Sequence, residues 1–275
     1  MRSSRPKPLH LICGRAMVVH VIHALEKLQP DRTAVVIGHM GEQVRAKVQD
    51  RAPSWANVAF VEQIEQNGTG DAAAIGMTAF DGDDYDDDAT IVILPGDTPL
   101  LRADTLDELV ATHVANQNAA TMLTSVLDDP TGYGRVVRKK DGQVLRIVEQ
   151  RDASPDELDI KEWNTGILCF RRDLLGPALR NLTTDNAQGE YYLTDVIAAL
   201  ASMGHRIGAV QAPSEETQGV NDRWQLALAE RELRNRTNRH WLPNGVTMLD
   251  PRQTFVDVNV TIGRDVTIYP GTMLQ

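Results

Sequence analysis

Cysteine is scarce in this chain: only two occur in 275 residues, Cys13 and Cys169. Both sit in apolar settings without metal-ligand spacing, so they read as buried free thiols in a reducing cytoplasm rather than as a disulfide or zinc framework. Basic clusters are missing too. The net charge is -10, and no Lys/Arg group offsets it, which excludes a nucleic-acid surface. No apolar run is long enough to span a bilayer, and Met1-Arg-Ser-Ser-Arg-Pro-Lys lacks the apolar core of a signal peptide. The expectation is a soluble cytoplasmic protein without a membrane or nucleic-acid partner.

What is present is a chain able to bury a large core. Its hydrophobic share is 42%, and its length suits one domain of about 200 residues plus a smaller piece. After a polar opening loop, Ala16 to Leu28 carries an apolar stripe at Val18, Val21, Ile22, Leu25 and Leu28, which predicts a helix with His20 and His23 solvated off the stripe. Strands are predicted at Ala34 to Ile37, Val58 to Val61 and Ile91 to Leu94. Helices alternate with them at Gly41 to Asp50, Asp71 to Ala79 and Thr105 to Asn118, the pattern of a doubly wound parallel sheet. The acidic run with Asp81, Asp83, Asp84, Asp86, Asp87 and Asp88 reads as a solvated loop. Further on, strands at Thr121 to Leu127, Arg135 to Arg138, Val144 to Val148 and Ile167 to Phe170 carry hairpin punctuation, and helices follow at Thr194 to Ser202 and Arg223 to Trp241.

The last thirty or so residues change period. Val256, Ile262, Ile268 and Leu274 recur every six positions, with Gly263 after Ile262 and a corner at Pro270-Gly271. That is the signature of a parallel β-helix, of which about one coil is present where about three repeats usually make a stable unit. The predicted organisation is a domain over 1–222, a connecting helix over 223–243 and a β-helix start over 244–275.

Chemistry concentrates in a few stretches. Leu94-Pro-Gly-Asp-Thr-Pro-Leu100 puts a carboxylate, Asp97, just past a buried strand, where ligands of open α/β sheets bind. Gln66-Asn-Gly-Thr-Gly-Asp-Ala-Ala73 runs from a glycine loop into a helix, so backbone N–H groups point at whatever binds there. Asp129-Pro-Thr-Gly-Tyr-Gly-Arg135 is a turn that lets backbone approach a ligand closely. Ile147-Val-Glu-Gln150, Trp163-Asn-Thr-Gly166, Asn186-Ala-Gln-Gly-Glu-Tyr-Tyr-Leu-Thr-Asp195 and Gly219-Val-Asn-Asp222 complete the set. Singly each has a plain reading: Glu149 a surface acid, Asn164 a strand-entry hydrogen bonder, Tyr192 core, Asn221 a helix cap.

Together with Pro6-Lys-Pro-Leu-His10, and in this order and spacing, these stretches resemble the N-acetylglucosamine-1-phosphate uridylyltransferase domain of the bacterial bifunctional enzyme that makes UDP-N-acetylglucosamine, a peptidoglycan precursor. The resemblance covers essentially the whole chain. It implies an α/β, Rossmann-like nucleotidyltransferase fold with a mixed, mainly parallel sheet, followed by the first coil of a left-handed β-helix. It also implies a Mg²⁺-dependent transfer that joins a sugar 1-phosphate to the α-phosphorus of UTP and releases pyrophosphate without a covalent enzyme intermediate, a reaction served by charge neutralisation and in-line positioning. Carried onto this sequence, Asp97 and Asn221 would hold the Mg²⁺ and Lys7 would offer a cation to the phosphates. Gln66, Gly68 and Thr69 would read the uracil, Glu149 and Asn164 would hydrogen-bond the sugar, and the Gly134 backbone would line its pocket, with Tyr192 and Thr194 on the wall.

Two departures shape the expectation. The family opens with a strand and a loop of the form Leu-Ala-Ala-Gly-x-Gly-Thr-Arg-Met, and here Met1-Arg-Ser lines up with the very end of that loop. Without a central strand, buried N–H and C=O groups go unpaired at about 1–3 kcal/mol each, against a total stability of about 5–15 kcal/mol, so folding and chemistry are both expected to suffer. An internal Met taken as the start, or a fragment, accounts for this; a stop codon upstream in place of the loop codons would exclude it. At the other end, one β-helix coil gives no acetyltransferase site, and a homotrimer is expected only where that coil suffices. Two rivals stay open: a non-catalytic UDP-sugar-binding relic, and a nucleotidyltransferase for another nucleotide or sugar phosphate.

Overall fold

The computed structural model describes residues 1–80 and 88–275. The predicted loop at Asp81, Asp83, Asp84, Asp86 and Asp87 lies outside the described residues, and Asp88 is exposed at a turn. The opening segment is less open than expected. Pro6 precedes and Pro8 sits inside a 3-10 turn, Lys7–Leu9, and Leu9 and His10 are buried. A small hairpin follows, β1 (Leu11–Ile12) with β2 (Arg15–Ala16), and its corner residues Cys13 and Gly14 both have positive φ. A Cβ at Gly14 would overlap the Asp257 carboxylate, so glycine there lets the corner lie against the tail.

Helix α1 (Met17–His23) is shorter than the predicted span, because Leu25, Glu26 and Leu28 donate three residues back in tighter turns. Val18, Val21, Ile22 and Leu25 are buried as the stripe requires, but so are Val19 and His20. His20 was expected in solvent and is instead 7% exposed, its Nε2 donating to the Ile12 carbonyl at 2.8 Å. Burial pushes the His20 pKa down to about 4, and that of half-buried His23 likewise to about 4. The cause of the discrepancy is the β1–β2 hairpin, which folds over the helix face that the sequence pattern leaves polar.

Strand β3 (Thr33–Ile37), helix α2 (Gly41–Arg51) and strand β4 (Val58–Glu62) form a parallel unit, in register from Thr33 opposite Val58 to Ile37 opposite Glu62. Next come α3 (Thr69–Met77), β5 (Thr90–Ile93), α4 (Ala103–Ala115), β6 (Ala120–Val126), β7 (Arg135–Arg138) and β8 (Val144–Val148). A capping box of Ser154 and Glu157 starts α5 (Pro155–Leu158), and β9 (Glu162–Arg171), α6 (Arg172–Arg180), α7 (Asp195–Ser202), β10 (Ile207–Gln211) and α8 (Ser214–Thr217) follow. Asp222 caps α9 (Arg223–Trp241) through the Gln225 N–H.

The main sheet has six strands in the order β10-β6-β9-β7-β8, with β5 alongside β9. Long β9 is the axis: Cys169 lies opposite Val92 of β5 on one edge and Thr121 of β6 on the other, and Trp163 lies opposite Arg135 of β7. The fold is α/β with a mixed sheet. Its pairings correct the expectation of a mainly parallel one, since among the described residues only β10 with β6 is parallel in the main sheet. β9 runs back between β5 and β6, so the ladders on both its edges are antiparallel even though β5 and β6 share a direction. The expected continuous parallel sheet is also divided, because among the described residues β3 pairs with β4 alone and β5 with β9 alone.

The tail contains β11 (Thr247–Met248), β12 (Phe255–Val256), β13 (Thr267–Ile268) and β14 (Met273–Leu274). β11 pairs with β13 and β12 with β14, both in parallel, and Val246, Met248, Val256 and Ile268 cluster between them. Helix α9 ties the tail to the body: Asn238, 1% exposed, donates to the Pro251 and Thr254 carbonyls at 2.7 and 2.9 Å. Glu230 Oε2 accepts the Cys13 N–H at 2.7 Å, and Val258 N donates to the Cys13 carbonyl at 3.1 Å. Both cysteines are free and buried, as read from the sequence. Among the described residues no helix is long and apolar enough to cross a membrane.

Candidate active site

Lys7, Asp97 and Asn221 come from three distant parts of the chain and meet at one point. After β5 the chain turns at Pro95-Gly96, pinned by Thr98 Oγ1 donating to the Pro95 carbonyl at 3.1 Å. The Asp97 carbonyl accepts the Val220 N–H at 2.9 Å, which lays the 219–221 loop beside this turn. A Cβ at Gly219 would stand 3.4 Å from Asp97 Oδ1, which places this backbone directly against the carboxylate. The Lys7 ammonium is ion-paired with Asp97 Oδ2 and lies 2.6 Å from Asn221 Oδ1. Two oxygens of different residues thus converge on one cation. They are the oxygens here able to hold a hard metal ion, whose other ligands would come from phosphate or water. Among the described residues no group of three or more His, Cys, Asp or Glu side chains is arranged to hold a metal.

The glycine loop sits at the mouth of the β3–β4 unit. Gly68, at φ 110, caps α3, and a Cβ there would lie 2.6 Å from the Tyr191 carbonyl oxygen. Gly70 N donates to that carbonyl at 2.7 Å, Tyr191 N to Asn67 O at 2.8 Å, and Leu193 N to Thr69 Oγ1 at 3.0 Å. The loop is therefore laced to 191–193, with the Thr69 hydroxyl engaged in the lacing. Gln66 is exposed. The glutamine the structure builds into the loop is Gln63, which sequence reading passed over: its Nε2 donates to Asp71 Oδ2 at 2.7 Å and to the Gly68 carbonyl at 3.3 Å. Its position directly after β4, outside the carboxyl end of a parallel strand, is the signal that could have found it. Gln63 also lines a cavity of about 430 Å³ with Gly38, His39, Glu42 and Glu62.

A third group forms a wall along β7, β8 and β9. Gly134 opens β7, and a Cβ there would lie 3.0 Å from Ile147 Cγ2 and 3.3 Å from Glu149 Oε1. Its carbonyl accepts the Asn164 N–H at 2.8 Å. Glu149 Oε1 accepts the Thr194 hydroxyl at 3.1 Å. Burial pushes the Glu149 carboxyl above its usual range, the Thr194 bond opposes this, and the charges of Asp195 and Asp152 add to it. Asn164 Oδ1 accepts the Gly166 N–H at 3.2 Å, leaving its side-chain NH₂ without a protein partner among the described residues. Gly166, at φ 77, lets β9 pass with Pro95 Cγ 3.1 Å from where its Cβ would be, joining this wall to the Asp97 turn. Tyr192 is buried, and its hydroxyl accepts from Gln188 Nε2 at 2.8 Å and donates to Asp152 Oδ2 at 3.4 Å. Tyr133 bridges the regions: its ring lies 4.1 Å from that of Trp163, and its hydroxyl pKa is raised by burial and then by Asp97. Gly134, Glu149, Asn164, Tyr192 and Thr194 are thus brought together, and Lys7, Asp97 and Asn221 stand beside them.

An α/β fold with a carboxylate at a strand mouth and a glycine loop feeding a helix defines a protein of the nucleotide-handling class. The profile of the family described as "Nucleotidyl transferase" matches residues 2–237, and the chain belongs to that family. Over its full length it is 48% identical to the Bifunctional protein GlmU of Corynebacterium efficiens, covering 56% of that protein. It is 45% identical to the protein of the same name from Clostridium beijerinckii and 46% to that from Streptomyces avermitilis, again over its full length, covering 58% and 56% of them. The chain spans a little over half the length of the curated relatives it matches.

Proposed function

We propose that this chain is a sugar nucleotidyltransferase that makes UDP-N-acetylglucosamine and pyrophosphate from UTP and N-acetylglucosamine 1-phosphate, with Mg²⁺ held by Asp97 and Asn221. The observation that carries the reading is the convergence of Asp97 Oδ2 and Asn221 Oδ1 on the Lys7 ammonium, a cation standing in where a divalent ion would fit. Bound there, Mg²⁺ would supply charge neutralisation for the phosphates. Lys7 would place its positive charge against the phosphate oxygens, close enough to the Asp97 turn to stabilise the negative charge that develops there. The free Asn164 NH₂ and the Glu149 carboxylate hydrogen-bond sugar hydroxyls, while Thr194 holds Glu149 in place and Tyr192 closes the wall. Gly68 and the start of α3 present N–H groups to the nucleotide. In the same reading, residues 244–275 are the first coil of a left-handed β-helix, supported by the two parallel strand pairs, with exposed Leu249, Tyr269 and Met273 available for trimer contacts.

The test is pyrophosphate release by the purified chain with UTP, N-acetylglucosamine 1-phosphate and Mg²⁺. Turnover specific to that substrate pair in a panel of nucleotides and sugar phosphates supports the reading, and a preference for another pair refutes the substrate assignment. A second reading has its own support: the sugar wall is densely built whereas β3 and β5 each carry an unpaired edge among the described residues. It makes the chain a UDP-sugar binder without turnover. Calorimetric binding of UDP-N-acetylglucosamine with no pyrophosphate release favours it, and a form preceded by Leu-Ala-Ala-Gly-x-Gly-Thr-Arg-Met that then turns over restores the first.

A further inference from the structure

We propose that Arg135 is a positioning residue that holds the sugar-facing Gly132–Gly134 backbone in its binding conformation through the Tyr133 carbonyl; the proposal deepens the functional reading above and rests on it for the identity of the sugar. Arg135 is 2% exposed, on β7 opposite Trp163, itself 1% exposed. Its Nη1 donates to the Tyr133 carbonyl, its Nε has no partner, and among the described residues no carboxylate forms an ion pair with it.

Burial lowers the Arg135 pKa, and the charge of Asp129, which forms no ion pair with it among the described residues, only partly opposes this. A guanidinium held in this way is a poor stabiliser, and apolar side chains of similar volume commonly replace buried ions at no loss of stability. Its single bond therefore points to what it does. The bond fixes the plane of the Tyr133–Gly134 peptide. Across a trans peptide the N–H is antiparallel to the C=O, so anchoring the Tyr133 carbonyl on the buried side turns the Gly134 N–H the other way. That N–H has no protein partner among the described residues, although Gly134 is buried and stands beside Glu149. It is an available donor for a sugar oxygen. The rest of the turn is held at its ends, by Gly132 N donating to Gln150 Oε1 at 3.1 Å and Asn164 N donating to the Gly134 carbonyl at 2.8 Å. Between them Tyr133 N donates to the Pro130 carbonyl at 3.1 Å, and among the described residues it is Arg135 that bonds the Tyr133 carbonyl and so grips the Tyr133–Gly134 peptide.

The experiment compares Arg135→Met and Arg135→Lys with the parent in the full chain, by thermal unfolding, amide hydrogen exchange and calorimetric titration with UDP-N-acetylglucosamine. The expected result for Arg135→Met is an unchanged or raised melting temperature, faster exchange confined to residues 131–135, and binding weakened about tenfold, the size of a lost charged hydrogen bond. In turnover assays KM for the sugar phosphate rises likewise while KM for UTP stays put, and Arg135→Lys recovers part of both losses. A melting temperature lowered by several degrees with ligand affinity unchanged makes Arg135 structural and overturns the proposal, as does unaltered exchange at 131–135. If the parent chain itself fails to bind the UDP-sugar, the functional reading fails, and the exchange and unfolding results still decide what Arg135 does to the turn.

Discussion

On the side of the molecule proposed to hold the sugar, β6 and β9 bury Ala120, Met122, Leu123, Ile167, Leu168 and Phe170 to 1% exposure or less, whereas Val35, Val36, Phe60, Val61, Ile91 and Val92 of β3, β4 and β5 are only half-buried. The residue types are alike, so composition does not explain the difference. Neighbours do. β9 has ladders on both edges and helices on its faces, while β3 and β4 have one ladder between them. At about 25 cal/mol per Å² of apolar surface, half-burial of a strand leaves much of its stabilisation unrealised. The proposed sugar wall is therefore pre-organised by the core, and the proposed nucleotide side depends on local lacing such as the bonds between the glycine loop and 191–193. Elements held by few buried contacts are the ones that open locally.

Substituting the shared corner of these two regions breaks both at once and gives the largest effect. Asp97→Ala or Asn221→Ala removes an oxygen from the point where Lys7 is held, and turnover should fall by roughly a hundredfold or more, with the melting temperature near that of the parent. Equal pyrophosphate release in both variants would show that this corner is not where a metal is held.

Glu149 sharpens the sugar side. Its folded-state pKa is raised, so its contribution to stability is present below the ordinary value of 4.5 and is lost as pH rises through the raised folded value. Glu149→Gln removes that titration, and the variant should unfold at a higher temperature than the parent at neutral pH and at a similar one in acid. Its sugar phosphate KM should rise about tenfold through loss of a charged acceptor. A variant less stable than the parent at neutral pH would contradict the buried-carboxyl assignment.

The same contrast governs what could be read from the chain. Arg135 to Arg138, Val144 to Val148 and α9 match their predicted spans, because alternation, Asp141-Gly142 and the Asp222 cap are local signals. Of the residues the structure gathers, Asp97 was marked by its place after a strand, whereas Glu149 after β8 and Asn221 before α9 read singly as a surface acid and a helix cap and were grouped with it only by the resemblance. What escaped depended on tertiary cover. Nothing near His20 announces that a hairpin eight residues upstream will bury it, and no periodicity shows that β9 turns back between β5 and β6. Lys7 shows the opposite case: its neighbours in sequence are prolines, and only the resemblance singled it out, yet the fold brings it to Asp97.

The smallest effect separates two glutamines three residues apart on the weakly held side. Gln66 is exposed, its Nε2 lies 2.9 Å from where a Cβ at Gly38 would be, and among the described residues it makes no hydrogen bond to the glycine loop, whereas Gln63 grips the Gly68 carbonyl and Asp71 at the start of α3. A side chain already ordered by two partners loses less rotamer freedom when a ligand contacts it than an unbonded one does, so under the proposed function the pre-placed residue is expected to contribute more to base recognition. Gln63→Ala should raise KM for UTP several-fold, with kcat and the sugar phosphate KM little changed, and Gln66→Ala should leave all three within about twofold. The reverse ranking would return base recognition to the exposed tip of the loop and imply that the loop closes over the nucleotide, carrying Gln66 inward, instead of receiving it on a surface already built around Gln63.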